Sequence, residues 1–161
     1  MFKVLIALDG RAHSKQTLDF AADLLKRTEA AITLYHVIPQ HIIYGRAAVV
    51  AEVYDLPTER ARARELLQDC AAYLQAQGGG PTIQGDITIG DPGDLILAAA
   101  EALASDLIIL GSHEANAISR FLTASTATRV STHAHCPVLV VHVKKARQVD
   151  RAAMSELARH A

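Results

Sequence analysis

Five short apolar runs punctuate the chain: residues 4–8 (VLIAL), 32–38 (ITLYHVI), 82–89, 106–110 (DLIIL) and 137–143 (PVLVVHV). Runs this short and this continuous predict strands buried on both faces, and the imperfect alternation of 82–89 still reads as a strand. Between them, apolar positions recur at helical spacing. Leu18, Ala21, Ala22 and Leu25 follow a cap at Ser14, with Asp19, Asp23 and Lys26 on the wet side. Leu66, Leu67, Cys70, Ala71 and Leu74 make the stripe of a long second helix, capped by Thr58 and stopped by three glycines and Pro81. Asp91 and Pro92 open a third helix through Ala104, with carboxylates near the positive end of its dipole. A fourth spans 119–135, on the spacing of Phe121, Leu122, Ala124, Thr128 and Val130.

Strand and helix therefore alternate from end to end. Each connection is long enough for a parallel crossover, and the fold class that follows is α/β. The expected architecture is a doubly wound, five-stranded parallel sheet with helices on both faces. Residues 39–57 break the rhythm. Pro39, Gly45 and Pro57 surround an apolar patch at 47–51, which reads as a long connection holding at most a short helix.

A chain of 161 residues fits one domain, expected over 1–143. Residues 144–161 carry five Lys/Arg against two Asp/Glu, are polar until Ala152, and then suit a short helix; a solvated tail is expected. With 50% hydrophobic and 20% charged residues the chain is globular, not disordered. Sixteen Lys/Arg against 17 Asp/Glu leave a net charge of −1, which argues against a nucleic-acid partner held by bulk charge. No apolar run approaches the roughly 18 residues needed to span a bilayer. The chain enters a strand at once, without a signal peptide, so a cytoplasmic setting with no membrane partner is expected. Cys70 and Cys136 make no metal motif, and Cys136, just before Pro137, is expected in the core. His13, His36, His113, His133, His135 and His142 are scattered. Only His133 and His135 are close, and residues two apart do not share a helical face, so no metal site is expected.

Ligands of open parallel sheets bind beyond the carboxyl ends of the strands, where the strand order reverses. Those ends carry Asp9-Gly10, Val37, Gly90-Asp91 and Gly111-Ser112-His113. A turn from Gly111 into a helix N-terminus would offer backbone N–H groups to an anion. Asp9 reads equally as a cap for the first helix and as a ligand or Mg²⁺ contact. No nucleophile-elbow frame is present. A transferase or hydrolase reading would have only Asp9 and His113 as nearby bases, so a catalyst is not expected.

The opening VLIALDG and ITLYHVI, the stretch GDPGDLIL…ASDLIILGS, and residues 106–141 resemble the universal stress protein family in order and spacing, over roughly residues 2–143. The resemblance implies an adenine-nucleotide-binding-like fold and a homodimer. It implies ATP or AMP as ligand, with Val37 lining the adenine pocket; by pattern alone a strand-end valine is core. ATP-binding members carry G-x-x-G, nine residues, then G-[S/T]. That frame puts Gly111, Ser112, His113, Ser125 and Thr126 around the nucleotide.

This chain departs from the frame: its second glycine is Glu114 and its third is Ala124. Two like charges about 4 Å apart repel by roughly 4 kcal/mol at an effective dielectric near 20, and a triphosphate carries several. Glycine lets the backbone approach phosphate, and Glu114 has a side chain, a charge and no such freedom. With the cradle blocked, Ser112 and Ser125 read as helix and turn caps. The expected protein is a dimeric stress-response regulator with a protein partner and a degenerate ATP site, no resident cofactor and no catalytic role. The alternative is an ATP/AMP switch with slow hydrolysis at most. The last strand, from Pro137 to Val143, is an apolar β-branched run that needs covering. In the family this strand commonly pairs with its two-fold mate. Val138, Val140 and His142 are expected on one face, Leu139, Val141 and Val143 on the other.

Overall fold

The computed structural model describes residues 1–10, 14–26, 28–39, 42–44, 49–51, 55–78, 82–113 and 124–143. Its centre is strand β1 (Phe2–Leu8), whose residues 4–8 are all buried. Strand β2 (Ala30–Pro39) pairs parallel on one side of it and β6 (Leu107–His113) on the other. Beyond β2 lies β5 (Thr82–Gly90), and beyond β6 lies β7 (Val138–Val143), giving the order β5-β2-β1-β6-β7 with every pairing parallel. The α/β doubly wound sheet is thus the observed fold.

Alternation along each strand divides the core in two. Val4, Ile6 and Leu8 of β1 face helices α1 (Ser14–Leu25) and α2 (Leu56–Ala76), where Leu18, Leu25, Leu67 and Leu74 meet them. Leu5 and Ala7 face α3 (Pro92–Ala102) and α4 (Ala124–His133), through Ile96, Ala100 and Val130. On β7 the expected split holds for the side chains described: Leu139 and Val141 pack on the α1/α2 face, Val138 and Val140 on the other. Cys136, expected in the core, is half-buried beside Val138, while Cys70 is buried on the inner face of α2. Burial pushes both thiols up, Cys70 to about 11.

Several boundaries differ from the pattern-based expectation. Among the described residues of 39–55 there is no helix, and α2 already begins at Leu56. They contain two short antiparallel strands, β3 (Ile42–Tyr44) and β4 (Val49–Ala51), because Ile42, Ile43, Val49 and Val50 are β-branched and favour extended backbone. Asp55, not Thr58, caps α2: its carboxylate accepts from Thr58 N at 3.4 Å and from Thr58 Oγ1 at 2.5 Å. Ser14 is itself the first helical residue of α1. Helix α3 stops at Ala102, two residues before the expected Ala104. There, Ala104 N donates to Glu101 O at 3.0 Å and Ser105 N to Ala100 O at 2.9 Å, a closing turn that puts Ala104 at φ +49°. The tail 144–161 and the stretch 119–123 expected to begin α4 lie outside the described residues.

Helices α1 and α2 are pinned together by a polar clamp. The Tyr73 hydroxyl donates to the Asp19 carboxylate, Lys15 Nζ donates to it at 3.0 Å, and Lys15 sits 5.0 Å from the Tyr73 ring centre. The two borders of the sheet differ. On β5, Gln84, Gly85 and Asp86 are exposed, and the Asp86 carboxylate takes the Ile87 backbone N–H at 2.8 Å. On β7, residues 138–141 are half-buried and apolar. Among the described residues no helix is long and apolar enough to cross a membrane.

Candidate functional site

The strand order reverses between β1 and β6, because one set of crossovers builds outward to β5 and the other to β7. The carboxyl ends of β1 and β2 open into a narrow pocket of about 10 Å³ on the α3 face, lined by Ala7, Asp9, Tyr35, Val37, Pro92 and Ile96. Asp9 follows the last residue of β1 and is half-buried. Val37, 7% exposed, belongs both to the core and to the pocket wall, so the two readings of it coincide. Tyr35 lies two residues before Val37 on the same strand face. Its hydroxyl accepts from Thr88 Oγ1 at 2.8 Å, and burial pushes the phenol up, keeping it uncharged. The N-terminus of α3 borders the pocket through Pro92. It is capped by Asp91, which accepts from Asp94 N at 3.0 Å, and Asp94 is paired with Arg129 of α4.

The pocket is thus apolar walls around one carboxylate. That volume holds about one water, far below the roughly 300–1,000 Å³ of whole small-molecule sites, so a ring would enter only as the walls part. Tyr35 and Ile96 were not singled out from the sequence. The period-two alternation through Val37 was the signal for Tyr35, while Ile96 read only as helix core.

The other expected site residues stand on β6 and α4; Leu110 pairs with Ala7, so Gly111 lies next to the carboxyl end of β1. Gly111, Ser112 and His113 do not form a turn into a helix. They continue β6 and pair with Val141, His142 and Val143 of β7. The apolar run ends at Leu110, but β7 is long enough to hold three more residues in register, and pairing overrides the turn signal of Gly-Ser. Gly111 has a packing reason to be glycine: a Cβ there would stand 2.7 Å from Thr17 Oγ1 of α1. Thr17 is only 2% exposed, so the strand and helix approach each other over bare backbone. Ser125 and Thr126 lie in the first turn of α4, Thr126 buried, and Ala124 is its first residue. Glu114 lies outside the described residues. Among the described residues no group of three His, Cys, Asp or Glu side chains could hold a metal ion.

Fold and crevice together define a doubly wound α/β protein of the adenine-nucleotide-binding-like class. Comparison with known proteins places it further. The family model described as the universal stress protein family matches residues 1–142. A putative universal stress protein of Staphylococcus haemolyticus is 31% identical over 146 residues, covering 88% of this chain and 85% of that one. Among solved structures, universal stress protein UspA from Lactobacillus plantarum superposes with a TM-score of 0.72 at 23% identity, over 87% of this chain and 97% of that one. A universal stress protein family protein from Arabidopsis thaliana, solved with AMP bound, gives 0.64 at 19% identity, over 95% and 99%. At those identities the structural likenesses speak to the fold alone. The chain belongs to the universal stress protein family.

Proposed function

We propose that this chain is a regulatory universal stress protein whose crevice receives an adenine-type ring but holds polyphosphate weakly. The observation that carries the reading is the state of residues 111–113. Gly111 serves the contact between α1 and β6, and the backbone runs on as paired strand rather than opening into a phosphate turn. The two further positions where ATP-binding relatives place glycine hold Glu114 and Ala124, and Ala124 is already helical. A negative side chain and a methyl group in that frame work against gathering phosphates. The apolar crevice at Asp9 and Val37 lies at the switch point of the sheet, and the AMP bound by the Arabidopsis relative supports a base received there. The role we propose for it is signalling through a protein partner. The apolar strand β7 suits pairing with a second copy of the chain, from Pro137 to Val143.

Calorimetry with Mg-ATP on the wild type and on Glu114→Gly with Ala124→Gly tests the reading. Wild-type binding is expected to be weaker than micromolar, with a gain in the double variant. Micromolar wild-type binding would favour the second reading, an ATP/AMP switch, and absence of gain would remove the explanation through Glu114. A monomeric mass by sedimentation would refute the pairing through β7.

A further inference from the structure

Among the described residues, α1 is the one helix that exposes two large apolar side chains: Phe20 is 44% and Leu24 46% exposed. Four positions apart, they share one face. Its direction follows from the neighbouring contacts. Thr17, three positions before Phe20 and seven before Leu24, is on the same flank of the helix and lies against Gly111 of β6. Asp19 turns to the opposite flank, where the Tyr73 hydroxyl of α2 holds it. Helix α2 covers β2 and β5, whereas α1 covers β6 and β7. Phe20 and Leu24 therefore point away from α2, over the border that β7 forms, on the side of the sheet that holds Leu139 and Val141. We infer that this apolar stripe is the second layer of a two-copy interface: where β7 pairs antiparallel with β7 of another chain, α1 packs against that chain's α1 through Phe20 and Leu24. The inference rests on the strand pairing of the proposed function and adds which helix joins it and through which residues.

Geometry carries it. An antiparallel join of β7 with its counterpart has its two-fold axis perpendicular to the sheet, which keeps each face on its own side. The two α1 helices then flank the axis on one face. Their spacing fits: strands lie about 4.8 Å apart, so a helix seated over the gap between β6 and β7 stands about 5 Å from the axis and about 10 Å from its mate, the distance of packed helices. Their level fits as well. A crossover helix runs opposite to its strands, at about 1.5 Å per residue against about 3.3 Å. Three residues on from Thr17 at Gly111, Phe20 is level with Ile109 and Leu110, which pair with Leu139 and Val140. That is close to the middle of β7, where the axis of a full-length strand pair passes. Phe20 thus meets its own counterpart, and Leu24 leans towards it, because helical side chains tilt towards the N-terminus. A six-residue strand join is chiefly main-chain hydrogen bonds, and a stable interface covers roughly 800 Å² per partner, so a layer beyond the strand is needed.

Sedimentation equilibrium of the full chain gives the dimer dissociation constant for wild type, Phe20→Lys, Leu24→Lys and, as a control on the exposed side of α2, Gln68→Lys. Phe20→Cys is treated with a short bismaleimide, and the linked residues are read by peptide mass spectrometry. Wild type is expected to dimerise. Phe20→Lys and Leu24→Lys are each expected to raise the dissociation constant about tenfold or more, since each change counts in both copies, and Gln68→Lys to leave it unchanged. The introduced thiols of two copies are expected to be linked to each other. A dimer as tight in Phe20→Lys and Leu24→Lys as in wild type overturns the inference and leaves the strand pairing standing. So does a Phe20→Cys dimer whose introduced thiols do not link. Slow maleimide labelling of Phe20→Cys at dilutions where it is monomeric would place another part of the same chain, such as residues 144–161, over α1, and overturns it too. If wild type stays monomeric at the highest concentration run, the strand pairing fails and the inference with it.

Discussion

Gly111→Ala separates the two roles open to that glycine. The new Cβ would stand 2.7 Å from Thr17 Oγ1, closer than real Cβ atoms approach. Thr17 cannot swing away cheaply: it is β-branched, 2% exposed and borne on a helix fixed to α2 by the Asp19–Tyr73 clamp. Overpacking of a buried contact costs about 1–3 kcal/mol. In a chain of this size roughly 2 kcal/mol lowers Tm by about 4–8 °C. The cause is one oxygen, so Thr17→Ala should relieve it: the Thr17 Cβ is 3.9 Å from the added atom, an ordinary contact. Urea unfolding of wild type, both single variants and the double variant closes the cycle. The double variant is expected to be more stable than the sum of the single losses by about 1–2 kcal/mol. Strict additivity, or no loss in Gly111→Ala alone, would refute the packing role and return Gly111 to the phosphate frame.

Three further outcomes follow from named contacts. Ala104 holds φ +49° where glycine is at ease, so Ala104→Gly should raise stability by roughly 0.5–1 kcal/mol after glycine's greater unfolded freedom is set against the relieved strain, read as a higher melting temperature. The Asp19 carboxylate is held below its ordinary 3.8, first by the Tyr73 hydroxyl and then by Lys15. A lowered carboxylate stabilises fully above its unfolded value and loses that contribution as pH falls through the folded one, so the urea midpoint should drop more steeply below about pH 4 in wild type than in Tyr73→Phe. A parallel acid limb in the two proteins would contradict the clamp. Arg129→Ala breaks an ion pair between α4 and α3 whose side chains are 50% and 57% exposed, so the loss should stay under about 1 kcal/mol by chemical denaturation.

The sheet and its five crossover strands were legible because each buried strand is a short, unbroken apolar run, and β1 is the clearest case. The faces taken by residues 138–141 of β7 were legible for the same reason. What escaped was set by partners distant in sequence. The Gly111-Ser112 step looks like a turn until β7 is seen to offer three more pairing positions. Thr17 was not singled out from the sequence; its buried oxygen stands where a Cβ on Gly111 would come. Asp55 lost the cap assignment to Thr58 because both residue types suit it, and only geometry shows that Thr58 itself donates. At the site, Asp9 and Val37 were legible from their place at strand ends, whereas the His36 side of the crevice was not. His36 faces α2 through the opposite phase of β2, and its tautomer is set by the carbonyl of Leu8, 28 positions away.

The unlike borders of the sheet bear on how copies of this chain could accumulate. At β5 a carboxylate has already taken a main-chain donor and the neighbouring side chains are polar, so an added strand there would meet a blocked ladder. Of these two borders, β7 is the one fit to receive a strand. If two chains join there about a two-fold axis, the product presents a β5 at each extremity, and growth of the five-stranded sheet stops at two copies.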